Sequence, residues 1–101
     1  MTFQSILNIF SEYLENDKNI EVVKVKKGYL HLYWDEVAND YNANLISDLD
    51  ELFNRLLEDI REYYKFESKK SFSSENDFEN FVENLQKELQ KKYNELKNNN
   101  S

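Results

Sequence analysis

One glycine and no proline serve the whole chain of 101 residues, and that glycine, Gly28, stands between two runs rich in β-branched and aromatic residues. Residues 20–26 read Ile-Glu-Val-Val-Lys-Val-Lys and residues 29–35 read Tyr-Leu-His-Leu-Tyr-Trp-Asp, both with the two-residue alternation of strands. A two-residue hairpin loop needs positive φ, which glycine adopts without steric cost, so Lys27-Gly28 is the expected turn. In that register Val25 opposes Leu30, Val23 opposes Leu32 and Glu21 opposes Trp34. Opposed residues share a face, which predicts that Val23, Val25, Leu30, Leu32 and Trp34 all point into the core. The other face carries Val22, Lys24, Lys26, Tyr29, His31 and Tyr33. Of these, Tyr29, His31 and Tyr33 form one candidate interaction surface, since exposed tyrosine is enriched at interfaces, unless a helix covers them.

A two-stranded hairpin needs further support, and the flanking sequence offers it. Phe3, Ile6, Leu7, Phe10, Tyr13 and Leu14 recur at helical spacing, predicting a helix over 2–16 capped by Thr2. Leu49, Leu52, Phe53, Leu56, Leu57, Ile60 and Tyr64 make a second apolar stripe, with Ser47 as the expected N-cap. Phe78, Phe81, Val82, Leu85, Leu89, Tyr93 and Leu96 make a third, with Ser74 as its cap. Between hairpin and second helix, Tyr41, Ala43 and Leu45 alternate as a short third strand would, although Val37, Tyr41 and Leu45 also suit a helical turn. The strand is preferred. The expected fold is α+β: an N-terminal helix, a small antiparallel sheet, then two long helices. It forms one domain over residues 1–97, with residues 98–101 as a disordered polar tail.

Fifteen aromatic residues give such a domain enough to bury. The absence of cysteine excludes disulfides and thiolate metal sites. No leader-like segment and no run of about 20 apolar residues occurs, which predicts a cytoplasmic protein.

The net charge of −7 is concentrated in one stretch. Residues 1–34 carry four acids and four bases, and residues 63–101 carry seven of each. Residues 35–62 carry nine acids against Arg55 and Arg61, which accounts for the whole excess. Those acids, Asp35, Glu36, Asp40, Asp48, Asp50, Glu51, Glu58, Asp59 and Glu62, are the candidate partner-binding residues. Ordinary solvation and helix-dipole complementarity also explain such a run. As a functional surface it suits a basic protein and opposes direct nucleic-acid binding.

Catalytic and metal chemistry lack their usual residues. His31 is the only histidine, so no His-pair zinc site forms within one chain. Asp48-Leu49-Asp50-Glu51 lacks the glycine and acidic spacing of a calcium loop. With Gly28 assigned to the hairpin, no phosphate-cradling loop remains. These features predict a binding protein with no cofactor, not an enzyme. The last helix also reads as a heptad seam, but Lys92 at a seam position favours packing within its own domain and leaves homodimerisation open.

The element order, with local texture such as Tyr63-Tyr64-Lys65-Phe66-Glu67 followed by Glu75-Asn76-Asp77-Phe78-Glu79, resembles the small acidic phage-borne anti-CRISPR inhibitors of RNA-guided nucleases. That resemblance implies inhibition by DNA mimicry, with carboxylates standing where phosphates would against Lys and Arg of the nuclease. The alternatives are an immunity protein neutralising a cognate toxin, or a structural or regulatory protein of a phage or mobile element.

Overall fold

The structure, a computed structural model, describes residues 1–99. Its elements are α1 (Phe3–Ile9), α2 (Ser11–Asn16), β1 (Ile20–Val25), β2 (Gly28–Asp35), β3 (Asp40–Ile46), α3 (Leu49–Glu62), a π-helical turn (Tyr63–Glu67) and α4 (Glu75–Asn99). The α+β order expected from the sequence is therefore present, including the third strand. The sheet is antiparallel in the order β1-β2-β3.

The first helix is divided at Phe10, whose backbone (φ −99, ψ 12) leaves the helical range. Ile6, Phe10 and Tyr13, spaced i, i+4 and i+7 on one helical stripe, are all buried, with Phe10 packed against Phe53 at a centroid distance of 5.4 Å. Thr2 caps α1 as expected, accepting from the Ser5 amide at 3.1 Å. Asp48, not Ser47, caps α3: its Oδ1 accepts from the Glu51 amide at 2.8 Å. Ser74 Oγ accepts from the Asp77 amide at 3.1 Å at the start of α4. That helix continues through Asn98 and Asn99, where the sequence predicted a polar tail, while Asn100 and Ser101 lie outside the described residues.

The hairpin register differs from expectation by two residues. Val25 pairs with Gly28, Val23 with Leu30 and Glu21 with Leu32, so Lys26-Lys27 is the turn and Gly28 opens β2. Gly28 has φ +147, and a Cβ there would collide with the carbonyl oxygen of Ile46 on β3. Glycine is thus required by a close approach of the neighbouring strand as well as by its backbone angle.

A two-residue shift preserves which residues share a face, yet the face turned inward is the opposite of the one predicted. Ile20, Val22, Tyr29, His31 and Ile46 face the helices, and none of Val23, Val25, Leu30, Leu32 or Trp34 joins the core. Ile6, Phe10, Leu52, Phe53, Leu56 and Ile60 supply its fully buried centre, and Tyr93 of α4 stacks on Phe53 at 3.9 Å. The molecule measures 41 × 37 × 18 Å. A thickness of 18 Å accommodates one sheet and one helical layer about 10 Å apart, which leaves the far face of the sheet open.

Candidate functional site

Antiparallel geometry sorts the nine predicted acids into two ends of the molecule. The chain turns from β3 into α3 beside Ile46, so α3 runs back along the sheet towards the β2–β3 turn. Its fourteen residues span about 20 Å. Asp48, Asp50 and Glu51 lie at its start, and Glu58, Asp59 and Glu62 in its second half. The patch expected from the linear charge count is therefore not one surface.

At the α3 N-terminus the acids have local partners. Asp48 caps the helix, Asp50 meets Lys97 of α4 at 3.2 Å, and Glu51 lies 3.5 Å from the Ser47 hydroxyl. In the β2–β3 turn, Asp35 Oδ1 accepts from the amides of Val37 (2.9 Å) and Ala38 (3.2 Å), and Asp40 Oδ1 accepts from Tyr41 at 2.8 Å. Glu36 in the same turn is exposed.

Near the C-terminal end of α3 lies a cleft of about 380 Å³ lined by Asp17, Glu58, Asp59, Glu62 and Glu67, with Arg55 as its one cation. Its formal charge is therefore −4. Tyr33, Tyr63 and Phe66 supply aromatic walls, and Phe66 is 70% exposed. The π-helical turn builds this rim: the Ser68 amide donates to the Tyr63 carbonyl at 2.8 Å, a five-residue span that extends α3 by one widened turn carrying Phe66 and Glu67.

The carboxylates perturb one another. Partial burial raises the pKa of Glu67, and the negative charges of Asp17 and Glu36 add to that, against a hydrogen bond donated by Asn19 at 2.9 Å. Burial likewise raises the Tyr33 hydroxyl, with Glu67, Asp35, Asp17 and Glu62 contributing. Asp17 accepts from the buried Tyr13 hydroxyl at 2.6 Å, and burial followed by that bond pushes the phenol well above its usual range. Asp35 and Glu36 of the β2–β3 turn therefore act electrostatically on the cleft.

Asp59 is an exception among the predicted acids because it is buried. Its Oδ2 lies 2.5 Å from His31 Nε2, and Arg55 Nε lies 3.6 Å from Oδ1. His31 is wholly buried and its Nδ1 has no hydrogen-bond partner. The proposed surface of Tyr29, His31 and Tyr33 is accordingly not available: helices cover it, and Tyr29 stacks on Phe3 at 5.1 Å. Only Tyr33 remains accessible, at the cleft.

Charge counting missed Asp17 and Glu67, which lie outside residues 35–62 and arrive through the loop before β1 and the π turn. It also misjudged Asp59. The available signal was its position three residues after Leu56 and one before Ile60, inside the apolar stripe. Among the described residues, no group of three His, Asp or Glu side chains is placed to hold a metal ion. No helix there is long and apolar enough to cross a membrane. No protein-family model, curated protein or solved structure matches the chain.

Proposed function

We propose that the chain is a protein-binding inhibitor whose acidic cleft takes up Lys and Arg side chains of a nucleic-acid-binding enzyme, in positions that phosphates would otherwise hold. The observation that carries this reading is the gathering of five carboxylates around one guanidinium, beside the exposed ring of Phe66. Carboxylates accept charge-assisted hydrogen bonds from Lys and Arg, and aromatic faces add cation–π attraction. The excess negative charge also accelerates encounter with a basic surface. Glu58 and Glu62 stand at this cleft beside the accessible rings of Tyr33 and Phe66.

The resemblance drawn from the sequence makes an RNA-guided nuclease the enzyme to test first. The experiment measures binding of the wild-type chain to such a nuclease and competition with its target duplex. A Glu58→Lys/Glu62→Lys variant provides the comparison. The reading requires that the chain and the duplex exclude one another and that the variant loses most of its binding. If both ligands bind together, or the variant competes as well as wild type, the cleft is not a phosphate-mimicking site on that enzyme.

A further inference from the structure

We propose that the free edge of β3 pairs with the same edge of a second copy, so that two three-stranded sheets join antiparallel into one of six strands. This does not depend on the acidic cleft, and it concerns the rim of the sheet, not its open face.

β3 ends the sheet, and six of its seven residues are exposed. Asn42 and Asn44 are among them although they point to the helical side, so no helix overhangs this edge. Edge strands are usually guarded by lysine, proline, a bulge or an inward-pointing charge. β1 has such a guard in Lys24, which shares the helix-facing side with Val22. β3 has none between Tyr41 and Leu45, where every residue is uncharged and none is proline. Its pairing with β2 runs without interruption from Asp40 to Ile46, which excludes a bulge.

The hydrogen-bond phase of the sheet fixes what that edge offers. The Trp34 amide donates to the Asn19 carbonyl at 2.8 Å, on the β1 side of β2. Backbone groups of successive residues point to opposite sides of a strand, so Tyr29, His31, Tyr33 and Asp35 turn theirs towards β3. Their partners Ile46, Asn44, Asn42 and Asp40 bond back to β2, which leaves Tyr41, Ala43 and Leu45 with N–H and C=O directed outward. The Tyr41 amide agrees, since it donates to the Asp40 side chain at 2.8 Å.

A second β3 meets this edge in one register. Outward groups must face outward groups, and only Ala43 opposite its own counterpart engages all three outward residues, with Tyr41 opposite Leu45 on either side. Tyr41-Asn42-Ala43-Asn44-Leu45 is nearly a palindrome about that centre, so the side chains match as well. Leu45 (57% exposed) lies across from the Tyr41 ring (46% exposed) on one face, and Asn42 lies across from Asn44, amide to amide, on the other. No charges are opposed within these pairs. Such self-complementarity is what an isologous interface requires, and it favours a second copy over an unrelated strand. Asp40 and Asp48 flank the paired segment and each chain carries a net charge of −7, so the dimer is weak and concentration-dependent.

Sedimentation velocity over a concentration series tests it, at physiological ionic strength so that repulsion between the chains is screened beyond about 8 Å. The expected result is a monomer–dimer equilibrium. Ala43→Lys sets two ammonium groups side by side at the axis and is expected to weaken the dimer at least tenfold, with circular dichroism unchanged. Ala43→Pro removes an N–H that makes no bond within the monomer, and is expected to do the same. In a chain without cysteine, Ala43→Cys places two thiols at a hydrogen-bonded pair whose Cα atoms lie about 5.5 Å apart, within the range a disulfide spans. Mild oxidation is expected to cross-link it at least tenfold faster than Val37→Cys, which stands fully exposed in the β2–β3 turn. A chain that stays monomeric at every concentration would overturn the proposal and leave the edge to a strand of another protein. A dimer indifferent to Ala43→Lys, or equal cross-linking of the two cysteine variants, would overturn it as well.

Discussion

His31 Nε2 lies 2.5 Å from Asp59 Oδ2, tying the central strand to α3 across the protein interior. Both residues are buried, so each is the other's principal compensation for lost water. Removing Asp59 leaves His31 without a partner, and removing His31 leaves Asp59 only its longer contact to Arg55; breaking a buried pair costs about 3–5 kcal/mol, whereas replacing both with apolar side chains of similar volume is often neutral. Urea unfolding of His31→Leu, Asp59→Leu and the double variant is expected to show two strongly destabilised single variants and a double variant close to wild type. Additive losses would mean that the two residues act independently.

That pair also explains why sequence patterning placed the wrong sheet face inward. The alternation of β1 and β2 correctly grouped Val23, Val25, Leu30, Leu32 and Trp34 together, and the apolar stripes correctly located α3 and α4. Choosing the buried face by hydrophobicity then favoured the group without His31. A histidine with a carboxylate partner can be buried, and that partner lies 28 residues further along the chain. Long-range pairing of this sort leaves no local periodicity. The third strand, by contrast, was visible in Tyr41, Ala43 and Leu45 because its alternation is local. The acidic site was legible only in part: the count over residues 35–62 found Glu58 and Glu62 but merged them with Asp48, Asp50 and Glu51, which the direction of α3 places at its other end.

Trp34 gives an optical check on which face is open. Its ring meets Tyr41 edge-on at 5.1 Å on the open face and is partly exposed. In dilute protein its native emission is expected to lie only slightly to the blue of the unfolded chain and to be quenched readily by acrylamide. Trp34→Ala should cost about 1–2 kcal/mol, reflecting one aromatic pair and partial burial, not the roughly 3–5 kcal/mol of a core tryptophan. A strongly blue-shifted, quencher-resistant emission under those conditions would contradict the arrangement.

Glu67 supplies the pH dependence. Its pKa is raised in the folded state by partial burial and by Asp17 and Glu36, so the folded protein holds this proton more tightly than the unfolded chain does. Its protonation favours folding below the ordinary carboxylate range, and that contribution is lost as pH rises through the folded pKa. Glu67→Gln keeps an oxygen acceptor for Asn19 while removing the charge. Its melting temperature is expected to exceed that of wild type at neutral pH, with the gap closing as the solution is made acidic. A gap that stays constant with pH would mean that the charge of Glu67 is not what costs stability.

The rim of the cleft separates simple charge attraction from a shaped site. Phe66 is 70% exposed and projects from the π-helical turn, so Phe66→Ala removes little buried area and should leave the melting temperature nearly unchanged. If the cleft receives basic side chains as proposed, the ring contributes a cation–π contact of about 1 kcal/mol, or roughly fivefold in affinity. Because the variant keeps every charge, the steepness with which added salt weakens partner binding should not change. Glu62→Lys should behave differently, lowering affinity and flattening the salt dependence together, since it removes one of the charges being screened. Measuring Kd for wild type and both variants across a salt series distinguishes the two contributions. Equal affinities for Phe66→Ala and wild type would reduce the site to a diffuse acidic surface, and an unchanged salt dependence in Glu62→Lys would remove the cleft from the interface altogether.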